Sequence, residues 1–379
     1  MNEKQTRKST IQETINCNYF PECSGCKKQT ELFKHDKHLK LEQDLKLKIP
    51  FIVDTVTRWR HRVKMAVGGS PLYPLIGLYK EHSHDILNID DCPLHTSGIN
   101  PILGHIIESI KKTRLSIYSE KTFQGILRYV QIVENLKDHK VGVTLVVNED
   151  LDKFIEHKFF DDFLKRSKEQ VVSLWLNEKK TKDNVIFGPK WKLVEGSHYT
   201  TQKILNNTFY FHPATFCQVH IPQYEKVLSQ IRSWIKKESF ILELYAGVGT
   251  IGKNLSDIAS LIYCYENNPY AKECFEEACK YFENEKVKFF PKASEDFDVD
   301  TYDTCIIDPP RKGISKKVLE KVTSVSSIKE IIALYCDAES FVRDVRELEI
   351  KGFVLEEVQS YLFFPGSDHI EVLGRLKRI

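Results

Sequence analysis

No apolar run in this chain approaches the ~18 residues that a membrane-spanning helix requires. Met1 to Thr14 is polar and charged, without the apolar stretch of a secretory signal. Both absences point to a cytoplasmic protein. Net charge is also nearly missing, at +2 over 379 residues, so a nucleic-acid partner would have to be met by a local basic surface rather than by bulk charge. With 41% hydrophobic and 28% charged residues, the chain has the make-up of a globular protein and the length for two or three domains.

Cysteine is plentiful, and its placement is informative. Ten cysteines in a reducing compartment argue against a disulfide framework and for metal or catalytic roles in some of them. Cys17, Cys23 and Cys26 crowd one loop in which Pro21, Ser24 and Gly25 let the backbone curl around a centre. The fourth ligand is expected from Cys92, which precedes Pro93 as iron–sulfur cysteines often precede proline. Four thiolates suit a [4Fe-4S] cluster. Zinc on Cys23, Cys26, Cys92 and His95 is the rival set. Most later cysteines sit in apolar runs and read as core.

Lys27 to Lys48 has the pattern of a helix ended by Pro50. In the following Arg58–Val67 stretch, alternation sets Arg60, Arg62 and Lys64 on one side of a strand, either facing phosphates or simply solvated. From residue 101 to 208 helices (102–112 and 151–165) mix with strands (125–134, 141–147 and 171–176), which is an α+β pattern. Asn177 to Asn184 reads as an exposed hairpin tip. Three regions result: a tail, cysteine loop and helix over 1–50, a central α+β unit over 51–208, and a third unit over 209–379.

That third region alternates strand and helix, the signature of a doubly wound α/β sheet. Its first strand runs into Glu243-Leu-Tyr-Ala-Gly-Val-Gly-Thr250, and its second ends in Glu266, an acid able to bind a ribose diol. The dinucleotide fingerprint's third glycine is missing, which disfavours NAD. The closing strand pair instead suggests a methyltransferase fold, with S-adenosylmethionine as cofactor. Cys336 ends the strand 328–336, where a thiolate could be a nucleophile, although a buried cysteine is more often a small apolar residue.

Asp308-Pro-Pro-Arg311-Lys-Gly313, Cys336 and the ending Phe364-Pro-Gly-Ser-Asp-His-Ile-Glu371 together resemble the RNA uracil-C5 methyltransferases that carry an iron–sulfur cluster. The likeness also takes in the cysteine loop, residues 60–67, Asp91-Cys-Pro-Leu94, Phe216-Cys-Gln218 and the glycine turn. Because no RNA-binding OB-like domain precedes the cysteines, the short branch acting on 23S ribosomal RNA is the nearest likeness. The resemblance implies a class I methyltransferase fold over 209–379, Cys336 as nucleophile and Glu371 as base. Gln218, Tyr245, Gly247, Gly249, Thr250, Glu266 and Asp308 would bind the cofactor, and Cys17, Cys23, Cys26 and Cys92 the cluster. Arg60, Arg62, Lys64 and Arg311 would meet RNA. A single-chain enzyme on 23S rRNA, or on tRNA, is expected; an inactive RNA-binding or ribosome-assembly protein of the same fold is the alternative. The sequence departs from the family pattern at Glu243, Ala246, Cys217, His220, Tyr335 and Asp337, and Asp337 is expected to raise the pKa of the adjacent thiol.

Overall fold

The computed structural model describes residues 13–281 and 285–379. The reading of Met1 to Thr14 therefore lies, over 1–12, outside the described residues, as do the last two positions of 269–283, which the sequence pattern also marks as a helix. The expected helix from Lys27 is shorter than its pattern. Glu31 takes a positive φ before it, and Lys46 closes α1 (Asp36–Leu45) in the left-handed conformation. A short strand, β1 (Phe51–Ile52), follows.

The first sheet is built from β2 (Arg62–Gly69), β3 (Pro74–Tyr79), β4 (Ile86–Asn88), then, after α2 (Ile99–Thr113), β5 (Leu127–Glu134) and β6 (Val141–Val147). Helices α3 (Leu151–Phe154) and α4 (Phe159–Ser167) lead to β7 (Val171–Glu178) and β8 (Lys190–Gly196). The seven strands lie in the order β4-β3-β2-β5-β6-β7-β8 and are antiparallel except for β6 and β7, whose parallel pairing needs the α3–α4 crossover. One face carries Val63, Met65, Val130, Ile132 and Val143 into a core closed by Ile102, Ile106 and Phe163 of the helices. The pattern read as one helix over 151–165 is broken at 155–158 into α3 and α4.

A hairpin, β9 (Thr200–Ile204) and β10 (Asn207–Phe211), precedes α5 (Ile221–Trp234). The second sheet then forms from β11 (Phe240–Leu244), α6 (Thr250–Leu255), β12 (Leu261–Tyr265), α7 (Pro269–Cys279), β13 (Val287–Phe290), β14 (Thr304–Ile307), α8 (Lys316–Ser324), β15 (Glu330–Tyr335), α9 (Ala338–Ile350), β16 (Phe353–Tyr361) and β17 (Glu371–Arg378). Its order is β1-β16-β17-β15-β14-β11-β12-β13, parallel from β15 to β13, with β17 antiparallel to both neighbours. Both faces are covered by apolar clusters, as the near-continuous apolar runs of its central strands require. Among the described residues no helix is long and apolar enough to cross a membrane.

The domain boundaries differ from the linear reading. The hairpin β9–β10 packs on α6 and α7, so the C-terminal unit begins near Thr200 rather than at 209. The N-terminal segment also belongs with that unit, because β1 pairs with β16 (Phe51 opposite Ser360) and Leu41 and Ile49 enter the core under α9.

Nor do Arg60, Arg62 and Lys64 form an open basic stripe. Arg62 is buried, and its guanidinium donates to Pro213 O (2.9 Å), Thr215 O (2.7 Å) and Gln131 Oε1 (3.0 and 3.2 Å). Phosphate cannot reach it. Lys64 lies over the Phe187 ring, and Arg60 stacks on Trp59. Arg62 therefore clamps the segment 213–215 to β2, immediately before Gln218. Removing it leaves buried carbonyls without donors, so Arg62→Met should lower unfolding free energy by on the order of 3 kcal/mol. Urea denaturation checks this. An unchanged midpoint with weakened RNA binding would instead restore the phosphate role.

Candidate active site

Strand register alone brings the chemistry together. In the β15–β17 pair Tyr335 stands opposite Val372, and extending that ladder by one position sets Cys336 opposite Glu371. Neighbouring strands continue the row. Leu244 pairs with Ile307 and with Tyr265, so Tyr245, Asp308 and Glu266 each follow the last ladder position of β11, β14 and β12. Tyr245, Glu266, Asp308 and Cys336 sit at the carboxyl ends of parallel strands and Glu371 at the start of antiparallel β17, above the reversal of strand order between β14 and β11. That crevice is where open α/β sheets bind ligands. A cavity of about 500 Å³ occupies it, lined by Phe216, Gln218, Tyr245, Gly247, Glu266, Asp308, Cys336 and Glu371.

The glycine turn gives the cavity its second wall. Tyr245 (φ 59°) and Gly247 (φ 55°) both take left-handed conformations, and a Cβ added at Gly247 would meet no atom within 4 Å. The backbone there is thus open to a ligand. Gly247 N–H donates to Glu266 Oε2 (3.1 Å) and Asn268 N–H to Glu266 Oε1 (2.8 Å), which fix that carboxylate at the rim. Thr250 lines a smaller adjoining hollow with Gln218 and Glu243, whereas Gly249 serves the turn into α6 and lines neither cavity. Glu243 is buried and accepts from Gly252 N–H (2.9 Å) and Cys264 S–H (3.0 Å), so it braces the first turn of α6 against β12.

Two carboxylic acids and a thiol crowd this site, and desolvation dominates each. Glu371, 3% exposed, is pushed up to about 8 by burial and then by Asp308, opposed by Arg311. Asp308 is pushed up to about 7 by desolvation, then by Glu243 and Glu266. Burial, followed by Glu371 and Asp308, raises the Cys336 thiol to about 11, again opposed by Arg311. Exposed Arg311, next to the cavity-lining Pro310, is therefore the cation that acts on the thiol.

The expectation for Asp337 is corrected. Its carboxylate caps α9 by accepting from Ser340 N–H (2.9 Å) and lies 3.6 Å from Lys37 Nζ. Desolvation pushes it up, but these partners outweigh that and hold it below the usual carboxylate range. It is turned to the cap and to Lys37, and Glu371 and Asp308 are the acids that act on the thiol. Tyr335 also has a structural task. Its hydroxyl donates to buried Asp344 (2.8 Å), which accepts from Ile314 N–H (2.8 Å), while Ser340 Oγ donates to Arg311 O (2.8 Å). Helix α9 thereby holds the loop 311–314 over the site.

His220 caps α5, its Nε2 meets Thr55 O (3.1 Å) and its ring stacks on Trp59, while Cys217 lies 3.6 Å from His61 Nε2. These departures tie the Gln218 segment to the N-terminal unit. Sequence reasoning assigned no role to Phe216, 65% exposed at the cavity mouth, nor to Ser294, whose Oγ accepts from Tyr245 N–H (3.0 Å). The exposed aromatic within Phe216-Cys-Gln218 was the available signal for the first.

The early cysteines also converge. Cys17, Cys23, Cys26 and Cys92 line one cavity of about 100 Å³ with Arg60 and His95. Burial and then the neighbouring thiols raise Cys26 to about 12, and burial raises Cys92 to about 11. Among the described residues no three His, Cys, Asp or Glu side chains stand in ion-holding geometry, so the thiols share a cavity without being drawn to one centre. His95, the zinc alternative's fourth ligand, has its Nδ1 on Asn100 Oδ1 (2.7 Å). Gly366, five positions before Glu371, lies against this loop: its carbonyl accepts from Lys27 N–H (2.5 Å) and Lys28 N–H (3.0 Å).

Comparison with known proteins now bears on this geometry. No family model matches the chain. An uncharacterized RNA methyltransferase of Protochlamydia amoebophila is 33% identical over 387 residues, covering 97% of this chain and 98% of the relative. The chain belongs to the RNA methyltransferase family of that relative. A tRNA (uracil(54)-C(5))-methyltransferase of Pyrococcus horikoshii is 25% identical to this RNA methyltransferase, covering 98% of this chain and 88% of that one. The crystal structure of Pyrococcus abyssi tRNA (uracil-54, C5)-methyltransferase in complex with S-adenosyl-L-homocysteine shares its fold, with a TM-score of 0.77 at 22% identity over 94% of this chain and 86% of that one.

The raised carboxyls make stability depend on pH. Glu371 and Asp308 bind protons more tightly folded than unfolded, so their burial is harmless below about pH 4 and costs stability as pH rises through their folded values. Glu371→Gln should unfold at higher urea than wild type at pH 8 and at the same urea at pH 4. A pH-independent difference between the two proteins would contradict the assignment.

Proposed function

We propose that this RNA methyltransferase transfers a methyl group from S-adenosylmethionine to carbon 5 of a uridine in RNA, with Cys336 as nucleophile and Glu371 as base. The observation that carries this reading is that Cys336 and Glu371, one step beyond the Tyr335–Val372 pair, line one cavity with Asp308. The open backbone at Gly247, the Glu266 carboxylate and Gln218 suit the cofactor, which supplies an electrophilic methyl group when bound.

Carbon 5 of uracil is a weak nucleophile. The Cys336 thiolate, favoured by Arg311, adds to carbon 6 and drives the electrons of the 5,6 double bond into an enolate. Carbon 5 then takes the methyl group. Ionised Glu371 accepts the carbon-5 proton, the enolate re-forms, and its collapse restores the double bond and expels the thiolate. A carboxyl with a raised pKa is the stronger base once ionised, which is what this proton transfer requires. Exposed Phe216 and Arg311 stand at the mouth through which a base flipped out of the RNA would enter.

The proposed substrate is 23S rRNA, supported by the resemblance to the short branch, with a single chain working in the cytoplasm. The Pyrococcus relatives named for tRNA uracil-54 favour transfer RNA as a second reading. Mapping 5-methyluridine in RNA from a deletion strain separates the two, and its unchanged presence in both RNAs would refute the function. In vitro, Cys336→Ala should abolish turnover. Glu371→Gln should accumulate a covalent protein–RNA adduct, seen as a retarded band on a denaturing gel; full activity of either variant would refute its assigned role.

We also propose that Cys17, Cys23, Cys26 and Cys92 hold a [4Fe-4S] cluster, with Arg60 beside them to offset its negative charge. Four thiols lining one cavity fit that group; His95 lines the cavity too, with its Nδ1 on Asn100 Oδ1. Anaerobically purified protein should carry iron and acid-labile sulfide with a visible charge-transfer absorbance, all lost in Cys26→Ser. Stoichiometric zinc without iron would refute the cluster.

A further inference from the structure

A cavity of about 600 Å³ lies outside the active site, between β7–β8 of the first sheet and α7 of the second. It is strongly aromatic. Trp175, Trp191, His198, Tyr199, His212 and Tyr270 line it. Tyr270 stacks on His212 at 4.1 Å, and Trp175 and Trp191 meet the same His212 ring edge-on at 4.6 and 5.2 Å. This packing fixes the rings before any ligand arrives.

Two buried polar groups in the lining are incompletely matched. Trp175 is 6% exposed, and its indole N–H has no acceptor among the described residues. Glu178 is 8% exposed; one carboxylate oxygen lies 3.1 Å from Lys190 Nζ, and the other is 3.3 Å from Lys180 Nζ but receives no hydrogen bond. An orphaned buried donor calls for an explanation. A ligand offering a flat π-face, a hydrogen-bond acceptor and N–H donors would satisfy both groups.

An organic cation is the other ligand that aromatic cavities take. A cation would leave the Trp175 N–H without an acceptor. Asp150 caps α3 through Asp152 N–H and Lys153 N–H, Asp152 pairs with Lys192, and Glu178 sits between Lys180 and Lys190, so most of the lining carboxylates are already matched. Lys190 and Lys192, the two ammonium groups of the lining, are the partners of Glu178 and Asp152.

The cavity also adjoins the active site. Tyr270 follows Asn267 by three residues, and His212 precedes Phe216 by four; Asn267 and Phe216 line the catalytic cavity. At no more than ~3.6 Å per residue, these segments hold the two cavities within about 15 Å of each other.

We propose that this cleft takes a second nucleobase of the substrate RNA, a few nucleotides from the target, stacked on Trp191 and hydrogen-bonded at its edge to Trp175 and Glu178. This inference rests on the RNA substrate proposed above. Stacking on a protein aromatic is sequence-tolerant, whereas edge contacts select. Guanine, which presents a carbonyl oxygen beside two N–H donors, matches the lining best.

The test uses the full chain saturated with S-adenosylhomocysteine, so that the cofactor site is closed, titrated calorimetrically with guanosine 5′-monophosphate. One binding event is expected, weakened about 5- to 150-fold in Trp191→Ala and retained in Trp191→Phe. With substrate RNA, Trp191→Ala should raise KM by a similar factor and leave kcat unchanged, since Trp191 is remote from Cys336. Absent nucleotide binding, binding indifferent to Trp191→Ala, or saturable binding of spermidine in its place would overturn the proposal. The two readings fail separately. Methylation with an unaltered KM in Trp191→Ala sinks the cleft alone, while nucleotide binding at Trp191 by a protein that methylates no uridine sinks the uracil-C5 reading alone.

Discussion

The site depends on keeping a thiol and two carboxylic acids together in a cavity that water reaches poorly. Desolvation raises Cys336, Asp308 and Glu371; Asp308 raises Glu371 further, and both raise the thiol. Such a cluster opposes folding near neutral pH, so the scaffold must hold it against its own repulsion. The parallel sheet supplies that hold. Its central strands are buried on both faces, and the site residues stand immediately beyond the last hydrogen-bonded positions of β11, β12, β14 and β15 and at the first position of β17. A row defined by backbone ladders cannot spread without breaking hydrogen bonds.

Segments distant in sequence close the site. Arg62, His61 and His220 fasten the 212–220 stretch to the N-terminal unit and so set the wall that carries Phe216 and Gln218. The cysteine loop is fastened to the other end of the row. Lys27 and Lys28 donate to Gly366, His35 Nε2 lies 3.0 Å from Ser367 O, and the same loop then runs on to Glu371. A Cβ at Gly366 would come within 3.0 Å of Lys28 O and 3.3 Å of Cys26 Sγ, which accounts for glycine there. The cysteine loop and the Glu371 loop therefore pack as one layer.

Much of this architecture was legible in the residues. Alternating strands and helices, the glycine turn, Glu266 and the DPPR loop located the crevice, and the structure brings Gln218, Tyr245, Gly247, Glu266, Asp308, Cys336 and Glu371 to one cavity. What was not legible depended on partners far along the chain. Alternation could not reveal that Arg62 meets carbonyls of 213 and 215, because period-2 patterning specifies a face and not what covers it. Adjacency misled for Asp337: a residue next to a nucleophile in sequence can turn its carboxylate to cap a helix, as it does toward Ser340. Likewise the strap of α1 and β1 joins the second sheet, since pairing with β16 is a long-range choice that local pattern does not encode.

The central claim, that Cys336 attacks the target base while Glu371 removes its carbon-5 proton, is most directly tested with substrate RNA containing 5-fluorouridine at the methylated position. Fluorine at carbon 5 leaves no proton for Glu371 to take, so the methylated adduct cannot collapse. Peptide mapping by mass spectrometry after incubation with S-adenosylmethionine should find the methylated fluoronucleotide on Cys336. A nucleotide carried by another cysteine, or full turnover with no adduct on the protein, would contradict the account.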